Sequence, residues 1–206
     1  SPAWLDEGQW ESKSIPFNEM PHEINPDVGY LVSANQRPVP EGTGQSLGVD
    51  WADGLRAARI GNQLSLVDNW DVVTTRRLQS DVFALQWYEV REFILAIHPK
   101  DDASGDVLEL LAAWNGMMDK DSAAAVAFEL LLSEIDRQDV NIRAPRAGSF
   151  ILGADVVDGL KVPNMLAFRR AGRMSRMLME TPEDRSLGVW ENFLSDVLAD
   201  VSKTLS

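Results

Sequence analysis

Gly29-Tyr-Leu-Val-Ser-Ala-Asn-Gln-Arg-Pro38 is the stretch on which the reading of this chain turns. Tyr30 to Ala34 is short, apolar and partly β-branched, with Asn25-Pro26-Asp27 before it and Pro38 and Pro40 after it. That pattern predicts a strand running into a turn. Asn35 stands at its end, where a side-chain amide with two N–H donors would be held by the strand behind it. Outward from this point the chain has two characters. Residues 1–40 are rich in Pro, Trp and polar side chains and show little periodicity, so they read as loops and short strands. A lone strand leaves backbone donors and acceptors unpaired, which suits a piece of something larger.

From Trp51 onward the apolar residues fall at helical spacing. Asp53 is placed to cap a helix through Leu55, Ile60 and Leu64, and a second is expected from near Asp68 to Ile97, burying a stripe of Leu78, Val82, Leu85, Phe93 and Ile97. His98-Pro99 ends it, because proline disfavours helical geometry in the residue before it. A third helix is expected around Val107 to Trp114, stopping at Asn115-Gly116. A fourth follows Asp121-Ser122 through Val126, Leu130 and Ile135. Asn141 to Asp155 reads as connector, Asn164 to Glu180 as helix with Met165, Leu166, Met174, Met177 and Leu178 available for burial, and Leu187 to Leu205 as the last helix, with Trp190, Leu194, Val197 and Val201 on one face. The fold class expected is therefore mainly α: a loop and short-strand segment over 1–50 and a helical domain over 51–206.

Composition narrows the function classes. With 32 acidic against 19 basic residues and a formal charge of -13, the chain is poorly suited to phosphate backbones, which need clustered Lys and Arg. No nucleic acid is expected as a partner. No apolar run is long enough to span a bilayer and no leader is visible, so a membrane is not expected either, and any signal peptide would lie outside this chain. Without cysteine there is no disulfide, thiolate metal site or Cys nucleophile. His22 and His98 each adjoin a proline and form no HxxxH or HExxH pair, so they read as boundary residues rather than zinc ligands. Asp101-Asp102-Ala-Ser-Gly-Asp106 lacks the ligand spacing of a calcium loop and reads as a capping turn, as do Asp119 and Asp121. Glu41-Gly-Thr-Gly-Gln-Ser-Leu-Gly48 lacks the Lys-Ser/Thr ending of a phosphate loop. No Ser sits in a Gly-x-Ser-x-Gly elbow. Ser1 offers a hydroxyl beside an amine, the arrangement of an N-terminal nucleophile, although a cleavage scar explains a first-position Ser more simply. Arg56 and Arg59 lie close together on the first helix, soon after Asn35, where a solvated face is the default for such charges.

Four groups of residues together resemble the penicillin acylase family of N-terminal-nucleophile hydrolases: Ile24-Asn-Pro26, Gly29 to Pro38, Gly48 to Trp51, and Arg56-Ala-Ala-Arg-Ile60. The family pattern is close to N-P-x-x-G-[FY]-[IV]-V-[ST]-A-N-N-R-P followed by W-x-x-x-x-R-x-x-R-I. Leu110-Leu-Ala-Ala-Trp-Asn-Gly116 and Asp121-Ser-Ala-Ala-Ala125 carry a looser likeness. The resemblance is to the middle of the catalytic β-subunit, so the N-terminal segment is expected to belong to the αββα core of a larger parent. It implies an amidohydrolase of non-peptide amides, such as a β-lactam side chain or an acyl-homoserine lactone, acting through the N-terminal Ser of an autoproteolysed subunit. By it, Asn35 is the side-chain half of the oxyanion hole and Arg56 organises the active site; Arg37 and Arg59 are assigned structural roles. Ser1-Pro-Ala-Trp4 imitates the family's Ser-Asn-x-Trp start, but the nucleophile should lie far upstream of Asn35, so Ser1 is rejected and the chain alone is expected to be inactive.

The resemblance further implies the remaining acylase α- and β-subunits and a small-molecule amide as partners, a periplasmic or secreted location, and no cofactor in this chain. Calcium, which some members bind, would fall near Gln45-Ser46, where no acid stands. The rival reading is a non-catalytic acidic helical interaction module, which leaves the Asn-Gln-Arg-Pro elbow unexplained.

Overall fold

The computed structural model describes residues 15–40, 42, 47–48, 51–152, 154–157, 160–163 and 170–206. Four of the helices begin where a side chain accepts from one of the first N–H groups. Helix α1 (Leu55–Leu64) starts with the Leu55 amide donating to Asp53 Oδ1 at 3.0 Å. Helix α2 (Val72–Gln79) is opened by a reciprocal capping box between Asp71 and Thr74, helix α4 (Asp102–Ala112) by Asp101 accepting from the Ser104 amide, and helix α5 (Ala123–Arg143) by Ser122 accepting from the Ala125 amide. Helices α3 (Leu85–Leu95), α6 (Gly148–Ile151), α7 (Arg170–Met179) and α8 (Leu187–Leu205) complete the α-helices among the described residues, and strands β1 (Ala154–Val157) and β2 (Leu160–Pro163) pair antiparallel.

No helix among the described residues is long and apolar enough to cross a membrane.

The core lies where α3, α4, α5, α7 and α8 meet. Trp87, Trp114 and Phe128 form its centre, with ring centroids 5.2 to 5.5 Å apart in tilted and edge-on arrangements. Around them Val90, Ile94, Leu111, Leu131, Ile135, Met174, Val197 and Leu198 are fully buried or nearly so, each large aliphatic side chain contributing roughly 1.5–3 kcal/mol by leaving water. Helix α8 keeps its expected bounds, and Trp190, Leu194, Val197 and Val201 are all buried.

Several expectations are corrected. Tyr30 to Ala34 forms no strand ladder: among the described residues the pairing near it is one parallel bridge, Gln36 with Ala52. A strand needs a neighbour to satisfy its backbone, and none of the described residues provides one along this segment. The single helix expected from Asp68 to Ile97 is two, α2 and α3, because residues 82–84 pair with 116–118 instead. The Met118 amide donates to Val82 O at 2.9 Å and the Ala84 amide to Gly116 O at 2.8 Å. That break shifts the buried face to Gln86, Trp87, Val90 and Ile94, leaving Val82 and Phe93 exposed. Helix α4 starts at Asp102, five residues before the expected Val107. The supposed connector from Asn141 to Asp155 contains the end of α5, the turn α6 and the start of β1. The described part of the next helix runs from Arg170, so Met165 and Leu166 lie outside the described residues.

Gly116 is one place where the turn requires glycine. Its φ is +78°, and a Cβ there would sit 3.0 Å from Tyr88 Cε2 and 3.3 Å from Trp87 Cδ1. Gly116→Ala is expected to destabilise the fold by roughly 2 kcal/mol or more, from left-handed strain and crowding together. Thermal unfolding checks this, and an unchanged midpoint would contradict it.

Helices α5 and α7 are also tied by charge. Arg170 donates to Ser133 Oγ and Glu129 Oε2, each at 2.7 Å, and Arg173 donates to the buried Asp136. Burial pushes the Asp136 carboxyl above its ordinary value of 3.8, while Arg173 pulls it back. Because this group holds its proton more tightly in the folded chain, its contribution favours folding at low pH and is lost as pH rises through the raised value. Glu134, lowered mainly by its hydrogen bond from Arg137, and Asp200, lowered mainly by that from Lys203, act in the opposite sense. Their contributions are present above the ordinary values of 4.5 and 3.8 and are lost as pH falls. Asp136→Asn removes the opposing contribution, so melting temperature should fall more steeply on acidification than in the wild type. Parallel profiles would contradict this.

Candidate functional site

The segment before Asn35 is shaped by two left-handed turns. Asn25 and Gly29 have φ of 51° and 76°, and the Gly29 amide donates to Pro26 O at 2.8 Å. Asn35 itself has φ of 64°. Asn is among the few non-glycine residues that adopt this region readily, because its short polar side chain can bond locally. The conformation places Asn35 at an exposed elbow directly after Ala34, which is 6% exposed.

The elbow is held from both sides. On one, the Ala52 amide donates to Asn35 O at 2.8 Å, stitching the elbow to the chain that enters α1. On the other, Arg56 Nη2 donates to Ala34 O at 2.8 Å and to Asn35 Oδ1 at 2.5 Å. Arginine has only donors, so this contact engages the oxygen of the Asn35 amide and assigns both N–H bonds to the Nδ2 end. One turn further along α1, Arg59 points elsewhere: its Nε donates to Asp81 Oδ2 at 2.7 Å, and its guanidinium lies 4.1 Å from the Phe83 ring centroid. Arg59 thus fastens α1 to the α2–α3 link, the structural role expected of it. Between these elements lies an open cavity of about 650 Å³, bordered by Arg56, Arg59, Leu78, Phe83, Leu85 and Phe128.

Asn35 and Arg56, 21 positions apart, are therefore brought into direct contact. Arg37 is exposed. Ser1 and Gln45-Ser46 lie outside the described residues. His22 bonds Met20 O through Nδ1 at 2.8 Å and stacks on Phe17, whereas His98 borders a separate cavity of about 290 Å³ beside α8. Among the described residues no three His, Asp or Glu side chains are grouped to hold a metal ion. Gln36, which stands where the family motif has its second asparagine, is given no role by the sequence. The Gln36 side chain folds back on its own segment, accepting from the Ala34 amide at 2.6 Å and donating to Val32 O at 3.1 Å. Its signal was only that an amide stands next to Asn35.

The family model described as penicillin amidase matches residues 1–205. Acyl-homoserine lactone acylase QuiP from Pseudomonas putida is 29% identical over 152 residues, covering 67% of this chain and 18% of its own length. Penicillin acylase 2 proenzyme from Pseudomonas sp. (strain SE83) is 28% identical over 137 residues, covering 66% of this chain and 18% of its own length. The chain thus spans about a fifth of the length of these curated relatives. With the match running over nearly every residue, this chain belongs to the penicillin amidase family.

Proposed function

We propose that this chain is the part of an amidohydrolase that supplies the side-chain donor of its oxyanion hole. The observation that carries the reading is the Arg56 contact, which takes up the oxygen of Asn35 and leaves the Nδ2 end as the donor end of an exposed elbow. The substrate class is a non-peptide amide joining an acyl or aryl-acyl group to an amine, as the names of the penicillin and acyl-homoserine lactone acylase relatives suggest.

In the parent, the hydroxyl of an N-terminal Ser attacks the amide carbonyl and gives up its proton to the α-amine. A carbon–oxygen bond forms, and the carbonyl π electrons move onto oxygen, where Asn35 Nδ2 donates to the new alkoxide. Collapse breaks the carbon–nitrogen bond, the amine leaves with the proton, and water then hydrolyses the acyl-enzyme. Arg56 keeps a positive charge and a fixed geometry beside Asn35 throughout, so the amide needs no reorganisation when charge develops.

The partners proposed are the remaining subunits of the acylase. Phe17, Ile24, Val28 and Leu31 are each more than 60% exposed along the N-terminal arm, an apolar edge suited to docking on the parent's sheet. A periplasmic or secreted location is proposed from the family. Incubation with a chromogenic acyl-anilide tests the reading. The 206-residue chain should show no turnover, and the full-length protein should show turnover that depends on Asn35. Turnover by the isolated chain that survives Asn35→Ala would overturn it.

A further inference from the structure

We infer that Gln36 is a positioning residue for the oxyanion donor, a role that rests on the reading of Asn35 given above. Among the described residues the segment before Asn35 has no ladder partner to hold a strand in register, only one isolated bridge between Gln36 and Ala52. Gln36 supplies part of that partner from its own side chain. A primary amide carries the same acceptor and donor as a peptide group, and here both are used as a neighbouring strand would use them: Oε1 accepts from the Ala34 amide at 2.6 Å and Nε2 donates to Val32 O at 3.1 Å. The two bonds close over Ser33 and fix the direction in which the chain enters the left-handed Asn35. Ala34 is then gripped at both ends, its N–H by Gln36 and its carbonyl by Arg56. The Asn35 carbonyl is gripped by Ala52. With its neighbours fixed in this way, the remaining freedom at Asn35 is χ1 and χ2, and Arg56 settles those through Oδ1. Gln36 acts on the reaction through Asn35 and touches no reacting atom.

A misplaced donor lowers the rate of the chemical step more than it weakens substrate binding. In the full-length protein assayed with a chromogenic acyl-anilide, Gln36→Ala should lower kcat about tenfold with KM within about twofold. Gln36→Asn, which keeps an amide, should recover most of the loss. Gln36→Glu gives the more specific signature. Its carboxylate still accepts from the Ala34 amide but faces the Val32 carbonyl without a donor, and protonation restores one. The ratio of Gln36→Glu to wild-type kcat should therefore rise as pH falls. This comparison is internal to a folded protein and serves even where the Ala variant fails to fold. An unchanged kcat in Gln36→Ala would overturn the inference. A flat pH ratio, or a loss that tracks a drop in melting temperature and is not rescued by Asn, would overturn it as well. Asn35→Ala, run in parallel, separates the two levels: if its kcat falls while Gln36→Ala keeps the wild-type kcat, only the role of Gln36 fails, whereas full activity in Asn35→Ala removes both.

Discussion

Asn35→Ala in the full-length protein is expected to lower kcat by roughly 10²–10³, the loss typical of one oxyanion donor. KM for an acyl-anilide should change little, because the neutral carbonyl of the bound substrate gains far less from that donor than the alkoxide does. The elbow itself should survive. Its backbone is tied by the Ala52 amide to Asn35 O and by Arg56 Nη2 to Ala34 O, and neither bond uses the Asn35 side chain. Alanine at φ of 64° carries some left-handed strain, of the order of 1–2 kcal/mol. Asn35→Gly, which relieves that strain and equally lacks the donor, is therefore the companion variant. Equal losses of kcat in the two would assign the effect to the missing amide; recovery in the glycine variant would assign it to the backbone.

The second large effect is expected far from the elbow. Asp139, on the inner face of α5, accepts from Arg185 Nη2 at 2.7 Å and from Arg143 Nε at 2.9 Å, and the Asp139 and Arg185 side chains are 6% and 7% exposed. Arg185 also lies over the rings of Phe193 and Trp190 on α8, at 4.4 and 5.1 Å from their centroids. It thus pins the link between α7 and α8 against α5. Asp139→Ala would leave this guanidinium buried without its counter-charge, a change that typically costs about 3–5 kcal/mol. Arg143 is less affected, because it keeps Asp184 at 2.8 Å. For a chain of this size the loss corresponds to a fall in melting temperature of the order of 10 °C. The double variant Asp139→Leu with Arg185→Met should recover much of it, since an apolar pair of similar volume removes the desolvation penalty along with the attraction. A single variant as stable as the wild type would show that the pair is not buried in solution as it is here.

These two sites differ in how far the sequence disclosed them. Helix α8 and the Ser122 start of α5 could be read directly, because a clean apolar face and a short oxygen side chain are local signals that tertiary packing here only reinforces. The break between α2 and α3 could not. It follows from residues 82–84 pairing with 116–118, a contact across more than 30 positions that no helical periodicity records. The β1–β2 pairing does carry a sequence signal: Val156-Val157-Asp-Gly-Leu160 contains Asp-Gly, one of the dipeptides favoured between paired strands. At the site, the motif singled out Asn35 and Arg56 but carried no information on which atoms meet. That depends on the Ala52 bond bringing the start of α1 beside the elbow. The pairing of Asp139 with Arg185, 46 positions apart, gave no sequence signal, since each is an ordinary charge on a helix or loop.

The most direct test of the central claim is the rate of acylation itself. Full-length wild type and Asn35→Ala, each in excess over a chromogenic acyl-anilide, should be compared for the single-turnover release of the anilide. If Asn35 donates to the alkoxide, the acylation rate constant falls by roughly 10²–10³ while the concentration of enzyme giving half-maximal rate stays close to that of the wild type. An acylation rate constant equal in the two proteins would contradict the account.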